Sequence, residues 1–418
     1  MHKLLLNLLF IALCRLYATQ ISAFKFEGNR RTKERTILTV SRLKVGSNYS
    51  DSTLNVAKER LMKSDIFASV KIEASDDTVS IVVDEKWTII PYLNISGSTE
   101  LLSLRIGLYD ANFLGRDATL GGEYHYFSGT HNGSLYFVKD DLGKTLFSLN
   151  SRLYSVKGIN NWYTPEGALE SGFIISRVGG SYGMQFPFRV EDLYLGGAIS
   201  VNSDSYLEKL GAIDYSELND SSGVSFSGED VTINSSINIR YSGFKYLPFN
   251  YNGWGVASAI SQSFEINGSP YTQLSLHGQW YKLLPLEANL CFDLSGAINS
   301  GSNFHSLYYI GGLNGVRGFL NGEFRGHAYT KGSIEYRIPS LKNRWIVLQH
   351  ILFTDYATIT QELSQLDKTT AIVGTGVGLR ILSPKIYSFM IRLDYAWGWG
   401  PYHRRGFSFG TSHFFKPF

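Results

Sequence analysis

From Trp87 onward the chain alternates between apolar and polar residues, segment after segment, with Gly, Asn, Ser and Asp clusters between the segments. Across residues 231–241 the odd positions read Val, Ile, Ser, Ile, Ile, Tyr and the even ones Thr, Asn, Ser, Asn, Arg. Across residues 273–280, Leu274, Leu276, Gly278 and Trp280 alternate with Gln273, Ser275, His277 and Gln279. Across residues 385–397, Tyr387, Phe389, Ile391, Leu393, Tyr395 and Trp397 oppose Ser388, Arg392 and Asp394. One apolar and one polar face over ~10 residues, repeated many times, predicts an antiparallel transmembrane β-barrel with lipid outside and water inside. Backbone groups in hydrocarbon have no water to bond, so such a sheet has to close on itself. A soluble β-sandwich also alternates, but its outward face would be richer in Lys and Glu than these segments are. Dividing ~330 residues among sixteen strands leaves ~21 for each strand and its turn; twelve strands with longer loops would also fit. Tyr92, Tyr246, Trp254, Tyr281 and Trp399 fall at strand ends, where interfacial aromatic girdles are expected.

The chain before Trp87 follows other rules. His2 and Lys3 start it, Leu4 to Leu13 form an apolar stretch, and Leu16-Tyr17-Ala18 offers a cleavage site. Residues 1–18 are therefore expected to be a signal peptide. Leu13 stands before Cys14 where a lipoprotein signal needs a small residue, which argues against a lipid anchor. Residues 19–86 read as a small α+β domain of order β-α-α-β-β. Residues 21–27 place Ala23 on one face and Phe24 and Phe26 on the other, before Gly28-Asn29 turns the chain. Residues 33–43, with Ile37, Leu38 and Val40, suit a short helix. Ser50 suits the N-cap of a second helix whose Leu54, Ala57 and Leu61 share a face. Residues 66–72 and 78–83 then make two strands joined through Ser75-Asp76-Asp77. The barrel is expected to occupy residues 87–418.

Composition agrees with this division. Charged residues make up 18% of the 418, against ~25% in a soluble domain, so much of the surface does not face water. The 42 Gly, 26 Tyr and 26 Phe suit short strands and turns. Mean hydropathy is −0.08, and no run of ~18 apolar residues follows the N-terminus, which excludes helical spans. A net charge of +3 is too small to argue for nucleic acid. Two cysteines, Cys14 and Cys291, cannot build a disulfide framework.

Phe26-Glu27-Gly28-Asn29-Arg30-Arg31-Thr32, Val45-Gly46-x-x-Tyr49-Ser50, Leu61 and Ile66-Phe67-Ala68-Ser69-Val70-Lys71-Ile72 follow one another in an order that resembles a POTRA domain. POTRA domains are the periplasmic modules of outer-membrane assembly and secretion barrels. The resemblance implies that an exposed strand edge accepts an extended client by β-augmentation, whose main-chain hydrogen bonds demand no particular sequence. Phe24, Phe26, Val70 and Ile72 are the candidate client edge, and a structural spacer is the alternative.

Three further motifs lie late in the chain. Lys331, Ser333, Glu335 and Arg337 share one face of a strand, and Phe353, Asp355 and Ala357 share one face of the next. Acids belong toward the lumen rather than toward lipid. Two inward carboxylates on neighbouring strands want a cation, and an arginine on a glycine-flanked loop can reach both as a charge-assisted fork. Tyr309-Ile310-Gly311-Gly312-Leu313-Asn314-Gly315-Val316-Arg317-Gly318-Phe319, Gly332-Ser333-Ile334-Glu335-Tyr336-Arg337 and Phe353-Thr354-Asp355-Tyr356-Ala357 are similar to the loop-six, strand-twelve and strand-thirteen motifs of the bacterial surface antigen superfamily, the BamA-like barrels of sixteen strands. The resemblance implies a loop-six lock of Gly315, Val316, Arg317, Gly318 and Phe319, with Arg317 bound by its lumen partners Glu335 and Asp355. Ala357 departs from the family, whose strand-thirteen motif ends in Gly, and puts a methyl where the loop is expected to come close. The aromatic C-terminal strand, with Phe407, Phe409, Gly410 and Phe415, resembles the targeting signal of outer-membrane barrels, although Lys416-Pro417-Phe418 extends past it.

No catalytic motif stands in a suitable context. Gly406-Phe407-Ser408-Phe409-Gly410 matches G-x-S-x-G but lies in an alternating strand rather than a strand–turn–helix elbow. Gly374-Thr375-Gly376-Val377-Gly378 reads as a glycine-rich strand, and the nine His residues lack metal-ligand spacing. Neither an enzyme nor a cofactor nor a metal is expected, and Asp293, Arg380, Arg392 and Asp394 read as paired or solvated lumen residues. The resemblance implies an outer-membrane assembly factor, its POTRA domain in the periplasm, that inserts client β-barrels through the seam between first and last strands. Its partners would be unfolded outer-membrane protein clients, the lipid bilayer and accessory periplasmic or lipoprotein subunits, with no nucleic acid. The alternatives are a two-partner-type secretion translocator and a structural or pore barrel.

Overall fold

The structure, a computed structural model, describes residues 20–97, 102–127, 129–142, 147–188, 192–210, 213–218, 224–364 and 369–411. The expected signal peptide and Phe415 lie outside these residues.

The N-terminal domain runs β1 (Ala23–Glu27), α1 (Glu34–Ser41), α2 (Asp51–Lys63), β2 (Phe67–Ser75) and β3 (Thr78–Glu85). Ser50 caps α2, its hydroxyl accepting the Thr53 N–H at 3.3 Å, and Arg60 and Lys63 sit at the C-terminal end where the helix dipole favours cations. One face of α2 buries Leu54, Ala57 and Leu61 against Ile37, Val40, Phe67, Val70 and Ile81. β3 is central, parallel to β1 and antiparallel to β2. This corrects the expected client edge. Phe24 and Phe26 lie on one edge strand and Val70 and Ile72 on the opposite one, so the four do not form a single edge. Val70 is buried in the core and the other three pack against it, so the edges offer backbone rather than these side chains.

Sixteen strands follow in one antiparallel sheet, each paired with the next in sequence. They are Ile89–Gly97, Leu102–Asp110, Ala118–Phe127, Thr130–Leu142, Phe147–Tyr163, Leu169–Pro187, Leu193–Leu207, Gly228–Tyr246, Tyr251–Glu265, Tyr271–Leu283, Asn289–Asn299, Ala328–Lys342, Val347–Thr360, Thr369–Leu382, Met390–Trp399 and Arg404–Thr411, called here the first to the sixteenth. Trp87, entering the first strand, bridges Ile386 in the turn before the fifteenth, which brings the two ends of the sheet round toward each other. The alternation has the polarity a membrane requires: Ile237, Ile239, Leu274 and Leu276 are 49–62% exposed, while Thr232, Ser242 and Gln279 are buried inside. Among the described residues no helix is long and apolar enough to cross a membrane; the strands do so.

Two local expectations change. The strand expected across residues 385–397 begins only at Met390; residues 383–389 form a turn in which Tyr387 packs on the POTRA core and Ser388 takes φ 48°. Tyr281 is not a girdle residue. It is buried with Phe244, Tyr251 and Cys291, and Tyr246, the other expected girdle tyrosine here, packs on them, because inward parity carries all three tyrosines into the lumen; Trp254 and Trp399 do face outward.

The small domain rests on the barrel at widely separated points. Arg31 bonds Asp110 and Thr88 at 2.8 and 2.6 Å beside the first two strands, and Lys385 pairs with Asp84. On α2, Lys63 reaches Asp192 at 2.6 Å and the Ser242 carbonyl at 2.9 Å, while Glu59 pairs with Lys245 of the eighth strand at 2.7 Å. Strands two and eight lie nearly across a sixteen-stranded ring from one another, so the domain straddles the mouth.

Candidate functional site

Between the eleventh and twelfth strands the chain leaves the wall and folds into the lumen. A short hairpin pairs Tyr308–Ile310 with Phe324–Gly326, and the segment between them carries Arg317 down to the twelfth and thirteenth strands. The inward parity of those strands presents Ser333, Glu335, Phe353 and Asp355 to it, all buried.

Arg317 uses its whole donor set. Its main-chain N–H and Nε donate to Asp355 Oδ2 at 3.0 and 2.7 Å, and a terminal nitrogen donates to Asp355 Oδ1 at 2.7 Å. The other terminal nitrogen donates to Glu335 Oε1 at 2.7 Å. Ser333 steadies the acid by donating to Asp355 Oδ1 at 2.6 Å. The guanidinium also lies over the Phe353 ring, 3.4 Å from its centroid, so a cation–π contact closes the open face of the fork.

Four buried arginines face three buried acids across the wall, the fourth being Arg392, which lies opposite Arg380 and donates to Asn314 Oδ1 of the loop at 2.5 Å. Arg337 holds the far oxygen of Glu335 at 2.7 Å, and Arg380 bridges Asp394 at 2.6 Å and Glu335 at 3.1 Å. Arg317, Arg337 and Arg380 thus meet Glu335, Asp355 and Asp394, each ion fully or almost fully buried. Buried ions are tolerable only when each has partners of this quality.

Glycine sets the depth of the loop. On the fourteenth strand Gly374, Gly376 and Gly378 share the inward face; a Cβ on Gly374 would collide with the Arg317 main-chain oxygen, and one on Gly376 would meet the Phe353 ring at 2.6 Å. Gly318, at φ 100°, lies against the Gly398 backbone. Ala357 is no obstacle. Its methyl is buried with Ile310, Val316, Phe319, Ile359 and Ile372, an apolar plug beside the ion network. The close approach falls on Gly374 and Gly398 instead, since the Phe319 ring lies against Gly398.

The structure brings Arg317, Glu335 and Asp355 together, with Val316 and Phe319 packed alongside and Gly315 crowded against Gly311. Phe407 and Phe409 face outward, each 63% exposed. Gly410 faces inward against Leu313, so the loop touches the last strand. Sequence reasoning assigned no role to Phe353, Ser333 or the glycine row, although Gly374, Gly376, Gly378 and Arg380 stand at a spacing of two. Among the described residues no group of His, Cys, Asp and Glu is arranged to hold a metal.

A glycine-bracketed arginine of the loop between strands eleven and twelve, forked onto acids of strands twelve and thirteen, coincides with a family match over residues 112–415, the Omp85 superfamily domain. The chain belongs to the Omp85 superfamily. Residues 19–86 match the POTRA family described as surface antigen variable number repeat. This Omp85 protein is similar in fold to BamA from Haemophilus ducreyi lacking POTRA domains 1-3, at 19% identity and TM-score 0.56, over 94% of this chain and 84% of that one. It is also similar to CdiB from Acinetobacter baumannii, at 15% identity and TM-score 0.58 over 95% and 74% of the two chains. CdiB from Escherichia coli matches at 11% identity and TM-score 0.61 over 94% and 75%. At such identities the likeness shows the fold alone. The Omp85 protein is an outer-membrane β-barrel with a single POTRA domain, of a family that handles client proteins in that membrane.

Proposed function

We propose that this Omp85 protein inserts client β-barrel proteins into the outer membrane through the seam between its first and last strands. The observation that supports this is loop six tied to the wall that ends at the seam: Gly410 of the sixteenth strand lies against Leu313 of the loop, and Arg392 of the fifteenth donates to Asn314 Oδ1 at 2.5 Å. The client pairs with the open edge of an end strand, gains its hydrogen bonds there, and buries its apolar face in lipid as it leaves. The free backbone edges of β1 and β2 suit a first capture in the periplasm.

The Arg317 network holds loop six against the wall that ends at the seam, so the fifteenth and sixteenth strands keep a fixed partner inside while their outer edge works. A second reading, a secretion translocator of the two-partner type, draws support from the CdiB-like fold. The test is reconstitution in liposomes with an unfolded second barrel protein. Accelerated appearance of the heat-modifiable client is expected. Unaltered client folding, with a polypeptide crossing the lumen instead, would transfer the proposal to the translocator.

A further inference from the structure

Loop six has a second set of contacts, on the wall opposite Arg317. Phe304 stands in a box of aromatic rings: Phe173 of the sixth strand at 4.7 Å, Tyr206 of the seventh at 5.2 Å and Phe226 at 5.2 Å, all edge-on. His305 stacks on Tyr206 at 4.8 Å and bonds Glu265 Oε1 at 2.6 Å through Nε2. Asn303 donates to the other oxygen of Glu265 at 2.8 Å. Glu265 ends the ninth strand, and its side chain is completely buried. The returning leg of the loop is tied to the same side: Arg325 lies 3.4 Å over the Trp162 ring and donates to the Tyr163 carbonyl at 2.8 Å, at the end of the fifth strand.

We infer that residues 303–305 and Arg325 form a second anchor, and that loop six is a strap fastened to both walls so that it bars the outer mouth. The two anchors differ in chemistry and in place. Arg317 joins the loop to strands twelve to fifteen by buried ions, whereas Phe304, His305 and Arg325 join it to strands five to nine by stacked rings and one acid. A strap held at one end swings clear of the lumen; a strap held at both ends does not. Rings packed at 4.7–5.2 Å need Phe304 in one position, and Glu265, whose bonds here are both to residues of the strap, would lose both partners if the strap lifted away. Closing the mouth is therefore assigned to Glu265, His305 and Phe304, and holding the loop beside the seam to Arg317. This inference concerns the lumen and holds for either reading of the function.

The experiment is conductance of the full chain in planar bilayers, paired with protease accessibility of loop six in liposomes. Phe304→Ala is expected to raise the open probability by about tenfold or more, the factor that corresponds to one buried charged contact or packed ring, and to expose residues 303–309 to protease. The segment around Arg317 is expected to stay protected. Glu265→Gln keeps the shape and loses the charge, and is expected to open the mouth to a smaller degree; it decides the matter alone if Phe304→Ala yields no heat-modifiable barrel. Wild-type conductance in Glu265→Gln, or in a folded Phe304→Ala barrel, overturns the second anchor. Exposure of the Arg317 segment together with residues 303–309 overturns the independence of the two anchors.

Discussion

The α-carbon of Gly374 and the main-chain oxygen of Arg317 are so close that a methyl cannot be placed between them. Gly374 pairs with Asp355, the acid that Arg317 grips, so loop backbone, acid and glycine lie at one level of the wall. A side chain here pushes the loop off its acid rather than merely crowding a core.

Gly374→Ala is accordingly expected to destabilise the docked loop by about 1–3 kcal/mol, the usual cost of overpacking. Limited proteolysis of loop six reads this, with Gly406→Ala as the control because a Cβ on Gly406 meets nothing within 4 Å. Equal protection of the loop in both variants would remove the glycine from the mechanism.

The lumen faces of strands twelve and thirteen were legible because period two needs no tertiary knowledge: Ser333 and Glu335, and Phe353 and Asp355, had to share faces. Phe353 beneath Arg317 was not legible, since it depends on inter-strand register, which sets Phe353 opposite Glu335 and Gly376. Register is a property of pairs of strands, and one strand's pattern does not carry it. Tyr387 misled for a different reason. Its apolar side chain continues the alternation of the fifteenth strand but is spent on the POTRA core. Tyr281 was misplaced against its own parity, for Trp280, its neighbour, faces lipid at 39% exposure. The two POTRA edges were confused because sequence order is silent on which strand is central.

The POTRA domain and the barrel have separate cores, so one can be weakened alone. Leu61→Ala removes a fully buried side chain between α2 and the sheet and is expected to cost about 2–5 kcal/mol, a large share of what a ~65-residue domain has. Proteolysis should then cut within residues 20–86 while the barrel still shifts on heating in SDS gels. Client assembly should fall with it; full activity with a melted domain would leave the domain as a spacer.

Docking of that domain rests on partly exposed ions. Lys63 and Asp192 are 27% and 34% exposed, and Arg31 and Asp110 are 40% and 17% exposed. Each such pair contributes about 0–1 kcal/mol and is weakened by salt. Lys63→Ala with Arg31→Ala should broaden the distances between spin labels on α2 and the eighth strand, and ~1 M salt should do the same to the wild type. Barrel stability should not change. Label distances insensitive to both would mean that apolar contacts, with Tyr387 foremost, hold the domain in place.

The lock itself is best tested as a coupled set. Arg317→Ala takes from Asp355 the guanidinium that grips it and from Glu335 one of its arginine partners, and breaking such a buried set costs about 3–5 kcal/mol where water is excluded, less where the lumen admits it. Asp355→Asn keeps the shape of the acid and weakens three of the bonds that Arg317 makes. If the residues act as one unit, the second substitution adds little to the first, with a coupling of about 0.5–3 kcal/mol in loop protection. Arg317→Lys should rescue only in part, because an ammonium cannot grip Asp355 with two parallel bonds or cover the Phe353 ring as a plane does. The readouts are protease protection of loop six and the rate of client folding, measured on the same liposomes. Client folding should fall in Arg317→Ala while insertion of the barrel itself holds. Strictly additive effects of the two substitutions would mean that Arg317 and Asp355 do not depend on each other, and the lock would have to be given up.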